Sequence, residues 1–364
     1  MITLKPLDTF FFGQENKYRK KITDKGYSTE DEYFQKSSYF PQQTTILGML
    51  RYYILLINGQ IPITDKHKAI DLIGYKSFHL TTNDIGYGKI KSISPVFISD
   101  LNNSQYYPNP KDYLNGKDNF CLLRGKMFDN MLKTNMPSNK FFYFESYNEK
   151  DGLDNFLLSF DGKSKLNYDE VFKDVEKIGI TKSINAEEKE DAFYKQIAYK
   201  LNERFSFAFY AEIDDSYERL PEIYTVPMGA EKSAFIISSK PIVEETDFAD
   251  RIYITNHNSP KIVLLSDSFI TDDIFKLCAF SISDTVPFRF LETEVRVNNN
   301  NYYYSNPLKK KEGEISRSIR LNLIQRGSVF FFDDINHLEQ FEKSLKKEIN
   351  FRKIGYNHYK VVKE

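Results

Sequence analysis

One succession of sequence patterns occurs twice along the chain, and this repetition restricts the fold more than any single motif. An alternating strand, a helical stripe, a strand pair and a closing strand are the parts of a βαββαβ unit. In the first copy Ile2 to Leu7 alternates apolar and polar side chains, with Ile2 and Leu4 on one face. After Pro41, Ile46, Leu47, Leu50, Ile54 and Ile57 recur at helical spacing until Asn58-Gly59 stops them, with Thr44 or Thr45 as N-cap. Phe205, Phe207, Phe209, Ala211 and Ile213 share a face, and a turn at Asn202-Glu203-Arg204 predicts a hairpin with Phe193 to Lys200. Ala234 to Ser238 is a further strand, and the second helix of this copy is weak.

The second copy is clearer. Ile262 to Leu265 reads as a strand and Asp272 to Phe280 as a short helix, while Ile319 to Ile324 turns at Arg326-Gly327 into Val329 to Phe332 as a second hairpin. Asp333 and Asp334 offer an N-cap, after which Ile335, Leu338, Phe341, Leu345 and Ile349 step along a basic amphipathic helix. Gly355 breaks it, and Tyr356 to Val362 closes the unit as a strand. The expected fold is therefore α+β, with two ferredoxin-like (RRM-like) domains at residues 1–245 and 246–364. The first carries a large insertion at about 60–190, where Phe78 to Thr82, Ile93 to Ser99 and Phe141 to Ser146 are short strand-like pieces. Gly13 to Ser38, with Lys17, Arg19, Lys20, Lys21 and Lys25, reads as a mobile basic loop.

A length of 364 residues suits two or three domains with real cores. The 50 basic and 51 acidic residues leave a formal charge of −1, so no global field draws in a polyanion and any nucleic-acid surface must be local. No run approaches the ~20 apolar residues of a membrane helix. The start lacks the pattern of a signal peptide, and Cys121 and Cys278 fit no metal spacing, so the expected address is the cytoplasm. The 25 Tyr and 31 Phe, with no Trp, leave many flat side chains for core packing or for stacking on bases.

The chemistry of catalysis is thin. The five histidines, His67, His79, His257, His337 and His358, form no paired zinc spacing, and no phosphate-binding loop, nucleophile elbow or close Asp cluster is present. A metal-independent ribonuclease needs only a base, an acid and a cation, and His79 is its candidate base beside the commoner reading of a solvated histidine. Anion binding has more support. A helix starting near Thr44 and Thr45 offers N–H groups and a partial positive charge, Arg51 follows two turns on, and Gly48 permits close approach of a backbone or base. A capped core helix explains the same residues. Met228-Gly229-Ala230-Glu231-Lys232 is a small-residue loop, and Gly179-Ile180-Thr181-Lys182 is another candidate. Between Leu308 and Arg320 five cations, Arg317 and Arg320 among them, face two acids, and Arg326 follows, with a solvated loop as the alternative.

In order along the chain, these segments resemble the crRNA-capping third subunit of the type III-B CRISPR (Cmr) effector complex, in the RAMP superfamily. The pieces that carry the likeness begin with Leu4-Lys5-Pro6-Leu7-Asp8-Thr9-Phe10-Phe11-Phe12 and Tyr39-Phe40-Pro41 through Leu50-Arg51. They continue with Ser94-Pro95-Val96-Phe97, Tyr107-Pro108-Asn109-Pro110 and Gly179-Ile180-Thr181-Lys182 before Ala192-Phe193-Tyr194. Met228-Gly229-Ala230-Glu231-Lys232 and Arg326-Gly327-Ser328-Val329-Phe330-Phe331 complete the set. The chain departs from the family at Ala230, where a second Gly is usual, at Gly13-Gln14-Glu15-Asn16, and at Gly355-Tyr356-Asn357. The resemblance implies two ferredoxin-like domains, no activity of its own, no cofactor, and a role in antiviral defence. It implies capture of the repeat-derived 5′ handle of the crRNA and contact with the large cyclase-bearing subunit and the backbone subunits, with target RNA met indirectly. The expected RNA-binding set is Arg19, Thr44, Thr45, Gly48, Arg51, Gly179, Ile180, Lys182, Met228, Gly229, Ala230, Glu231, Lys232, Arg317, Arg320 and Arg326. A repeat-cleaving endoribonuclease of the same superfamily and a pure assembly subunit are the alternatives.

Overall fold

A computed structural model describes residues 1–13, 17–23, 26–115, 120–122, 125–129, 140–144, 155–181, 192–214, 220, 223–229, 231–242, 253–254, 260–296 and 316–363. The fold is α+β, rich in short strands and poor in helices. Among the described residues no helix is long and apolar enough to cross a membrane. The contacts define two compact units of three segments each. One comprises 1–103, 169–244 and 289–320, the other 104–168, 245–288 and 321–364.

The first unit is built on an antiparallel sheet in the spatial order Phe97–Ser99, Ser206–Phe209, Ile2–Pro6, Ser233–Ser239, Ile223–Met228. Ile2 lies between Phe209 and Ser239, and Leu4 between Phe207 and Ile237. The alternation read in the sequence sends Ile2, Leu4, Phe207, Phe209, Phe235 and Ile237 into the core. Burying each such side chain stabilises by about 1.5–3 kcal/mol. The first helix, Gln43–Ile57, buries Ile46, Leu47, Leu50 and Ile54, and its Tyr53 ring lies 5.8 Å from that of Tyr224 on the edge strand. Phenyl rings fill this core: Phe10 stands 4.9 Å from Phe12 and 5.3 Å from Phe207, and Tyr39 stacks 4.5 Å from Tyr199. For these residues the aromatic excess is core packing.

The loop and the hairpin expected here are both absent as read. Gly13 to Ser38 is not a loop throughout, because Lys17–Thr23 and Gly26–Lys36 form a hairpin. The second strand of that hairpin runs parallel to Ala192–Leu201, Tyr33 opposite Tyr194, so its partner lies far away in sequence and no local window reveals it. Nor do the strands flanking Asn202-Glu203-Arg204 pair with each other. Ala192–Leu201 pairs with Phe172–Thr181, while Ser206–Phe209 pairs with Ile2–Pro6 and Phe97–Ser99. Asn202 makes the turn, its N–H donating to Val171 at 2.9 Å and its Oδ1 accepting from the Arg204 N–H at 3.1 Å, and the turn carries the chain from one sheet to the other.

The second unit has a sheet in the order Tyr253–Ile254, Tyr359–Lys363, Lys261–Leu264, Val329–Phe331, Phe280–Ile282, antiparallel except for the first pair. The helix Ile335–Lys347 starts as read: the Asp334 carboxylate accepts from the Asn336 N–H at 2.9 Å. It buries Leu338, Phe341 and Leu345, with Phe330 4.7 Å from Phe341, and ends at Glu348, leaving Ile349 exposed on a separate short helix. The helix expected at Asp272 to Phe280 is a single 3-10 turn, Ile274–Lys276, in which only Ile274 is buried. The hairpin expected around Arg326-Gly327 is also absent. Leu321–Ile324 pairs with Thr285–Phe288, and Gly327, at φ +81°, donates its N–H to Leu264 and delivers the chain onto a third strand.

The face of this sheet opposite the helix is covered from within the unit by part of the expected insertion. Lys261 and Asp112 form an ion pair with side chains 3% and 2% exposed. Lys111 Nζ donates to Gln325 Oε1 at 3.1 Å, Lys360 Nζ to the Phe160 carbonyl at 3.1 Å, and the Asn109 carbonyl lies so close to Gly327 that an added Cβ would sit 2.7 Å from it.

Candidate RNA-binding surface

Backbone conformation sets the start of the first helix. Gln42 is extended (φ −67°, ψ 147°) and occupies the cap position, so Thr44 and Thr45 fall inside the first turn and neither is the N-cap. No side chain caps this end, which leaves the positive pole of the helix open to a ligand. Gln43 is buried and donates from Nε2 to the Ser94 carbonyl at 3.0 Å, whereas Thr44 and Thr45 are half-buried.

Gly48 lies on the exposed face of the same helix. A Cβ built there meets nothing within 4 Å, and its backbone is ordinary helix. Neither packing among the described residues nor conformation calls for glycine, which costs about 1 kcal/mol of helix propensity relative to Ala. Arg51 serves a different purpose from the one expected. It is 7% exposed, and its Nε and Nη2 donate to the carbonyls of Ile73 and Gly74 at 3.0 and 3.3 Å. These carbonyls end the helix Lys66–Ile73, so a helix C-terminal pole answers the buried charge. Desolvation still lowers the guanidinium pKa to about 10, opposed by Tyr87. Arg51 clasps two helices together and does not face an external phosphate.

The Gly229 segment is a hairpin turn between Ile223–Met228 and Ser233–Ser239. Gly229 (φ +80°) accepts at its carbonyl from the Lys232 N–H at 3.1 Å, and a Cβ at Gly229 would lie 2.9 Å from the Phe11 carbonyl oxygen. Glycine is thus required by the turn itself. Met228 is buried, Glu231 and Lys232 are exposed, and Ala230 lies outside the described residues. Strand direction places this turn. Pro6 and Val226 both lie opposite Phe235, so Gly229 sits where the first strand leaves the sheet toward Phe10–Phe12. Phe12 donates to Ser37 Oγ at 2.9 Å and accepts from the Ser38 N–H at 2.8 Å, a few residues before the first helix begins. With Tyr53 against Tyr224 at the start of the edge strand, the helix N-terminus points to that same end. Thr44, Thr45 and the Gly229 turn therefore share one end of the first unit.

The other expected residues separate. Gly179 and Ile180 belong to a strand ladder, opposite Tyr194 and Phe193, and form no loop. They lie seven and eight residues beyond Phe172, about 25 Å along the ribbon at ~3.3 Å per residue. Lys182 lies outside the described residues. Arg19 pairs in register with Glu32 in the early hairpin. Arg317, opposite Leu291, and Arg320 are exposed on the first unit. Arg326 belongs to the second unit, where its N–H and guanidinium bind Asp267 at 2.9 and 3.4 Å, so it leaves the expected patch. His79 is half-buried, with Nδ1 3.0 Å from the Ser77 carbonyl. Among the described residues no group of His, Cys, Asp and Glu is arranged to hold a metal.

One group had no signal in the sequence pattern. Residues 75–77, read as irregular, pair with 293–295: Ser77 donates to Thr293 and Val295 to Tyr75, both at 2.9 Å. This brings Tyr75, Lys76, Glu294 and Arg296 together. Phe78, expected at the start of a strand, packs instead 4.8 Å from Phe290.

No curated protein matches the chain. Among solved structures it is similar to a chain of the type III-B Cmr-beta complex bound to cognate target RNA, at 15% identity and a TM-score of 0.49, covering 98% of this chain and 95% of that one. It is similar also to a chain of that complex bound to cognate target RNA and AMPPnP, at 13% identity and a TM-score of 0.49, covering 100% and 98%. Residues 2–364 match the model of a family described as CRISPR-associated protein (Cas_Cmr3). With that match spanning the chain from its second residue to its last, the protein belongs to the CRISPR-associated Cas_Cmr3 family.

Proposed function

We propose that this subunit caps the repeat-derived 5′ handle of the guide RNA at the end of the first unit where the first helix begins and the Gly229 turn lies. Gly48 carries the reading. A glycine in mid-helix, exposed and without an internal reason, fits an RNA backbone or base lying directly on the helix. The uncapped pole beside Thr44 and Thr45 attracts a phosphate, and Lys232 adds an exposed cation on the neighbouring turn. Specificity is then divided: a fixed surface reads the constant handle, and base pairing reads the variable guide. In this reading the subunit breaks no bond. It works in the cytoplasm within the effector complex, where it meets the large cyclase-bearing subunit and the backbone subunits. Both strand orders, with a first strand between two antiparallel neighbours, support treating each unit as a ferredoxin-like variant.

The test is guide affinity measured against salt in the assembled complex. Lys232→Glu and Gly48→Phe are expected to weaken binding at least tenfold while leaving the melting transition of the free subunit in place, and Lys232→Glu lowers the salt slope by about 0.7. Unchanged affinity in both variants would remove this end of the molecule as the capping site.

A further inference from the structure

We propose a second RNA contact on the same unit, a stacking platform centred on Tyr75 and lined by Lys66, Lys76 and Arg296; it rests on the reading that this subunit holds the guide. Tyr75 is 40% exposed, and its hydroxyl donates to Glu294 Oε2 at 3.0 Å, which fixes the ring. Lys66 Nζ lies 5.3 Å and Lys76 Nζ 6.0 Å from the ring centroid, and Lys76 also pairs with Glu294 at 3.4 Å. Arg296 has its Nη2 buried without a hydrogen-bond partner among the described residues. Two lysines thus lie within 6.0 Å of one exposed aromatic ring, and Lys76 and Arg296 act on the Glu294 carboxylate beside it.

The backbone holds the platform rigidly. Besides the ladder at 75–77 and 293–295, Ser77 Oγ donates to the Leu291 carbonyl at 3.1 Å and accepts from the Thr293 N–H at 2.8 Å. Leu291 in turn pairs with the exposed Arg317, which extends the basic surface. On its other side the platform joins the capping end. The Gly74 carbonyl, one residue before Tyr75, is held by Arg51, seven residues and about 10 Å along the first helix from Thr44.

Ring and cations together indicate a nucleotide. A base stacks on an aromatic face whatever its identity, and each lysine can exchange its hold on the ring for a nearby phosphate by swinging a four-carbon stem. An acidic protein surface would use the cations and leave the ring idle.

The experiment uses the complete effector complex assembled on a 5′-labelled guide, with guide retention measured over a salt series and melting of each free subunit as the folding control. Tyr75→Ala is expected to weaken retention about tenfold, Tyr75→Phe to match the parent, and the Lys66→Gln/Lys76→Gln pair to lower the salt slope by about 1.4. Parent-like affinity and slope in all three, while Lys232→Glu still weakens binding, would overturn the platform and leave the capping site standing. Loss of another subunit from the Tyr75→Ala complex with guide affinity intact would also overturn it, because the surface would then be a protein contact. If Lys232→Glu and Gly48→Phe are equally silent, the capping reading falls and the platform with it.

Discussion

The central strands of the two units, Ile2–Pro6 and Lys261–Leu264, hold the same place between antiparallel neighbours, yet they bury differently. Ile2 and Leu4 are buried while Lys5 is exposed, as in a sheet with one covered face. All four residues of Lys261–Leu264 are buried, because Asn109 to Asp112 and Phe160 lie on the face that the C-terminal helix leaves open. The covering layer brings a lysine inside, and the lysine brings Asp112 with it. An RRM reads RNA with aromatic side chains on the open face of its sheet. In the second unit that face is closed.

Breaking the cover is expected to have the largest effect. Asp112→Ala leaves the Lys261 ammonium buried without its partner and should destabilise the protein by about 3–5 kcal/mol, whereas the Lys261→Met/Asp112→Leu pair should recover most of the loss. Urea unfolding measures both; a midpoint unmoved by Asp112→Ala would mean that no clasp exists.

Titration of Lys360 sharpens the same contrast. Desolvation, with Lys261 nearby, lowers its pKa to about 8, against an ordinary 10.5, while Asp161 opposes the shift. The folded state therefore holds this proton less tightly than the unfolded state. The penalty is full below pH 8 and is relieved as pH rises from about 8 to 10.5, for a gain of roughly 3 kcal/mol from this group. The stability difference between wild type and Lys360→Met should change over that window, and a constant difference would contradict it.

Within the first unit the comparison narrows to two glycines. Gly229→Ala should cost roughly 1–2 kcal/mol, since a side chain there meets both a left-handed backbone and the Phe11 carbonyl. Gly48→Ala should stabilise the free subunit by up to ~1 kcal/mol. Thermal melts of the two variants are therefore expected to move in opposite directions. A loss at Gly48 comparable to that at Gly229 would show that the fold needs both and would take away the reason for placing RNA on the helix.

What could be read in advance was local. The Ile2 strand, the two main helices, the Asp334 cap and the Gly229 turn all follow from periodicity and turn chemistry within a few residues, and ordered motifs identified the family. Pairing was harder. At Asn202 and again at Arg326-Gly327 the turn residues were found correctly, yet each turn led to a third strand, because a turn sets where the chain reverses and the buried faces set which strand receives it. Charge alone marks Arg51 and Arg326 as phosphate contacts; burial beside the Ile73 and Gly74 carbonyls and beside Asp267 gives them internal partners.

The amino-acid order alone determined the two main helices, the central strands and the family, since hydrogen bonds within a helix and alternation along a strand depend on near neighbours. The tertiary structure alone decided which cations are exposed and which aromatic ring they surround. Tyr75 and Glu294 lie 219 residues apart, and only the burial of apolar faces elsewhere in the unit brings the hydroxyl to the carboxylate. A charge has no fixed partner until the chain has closed around it.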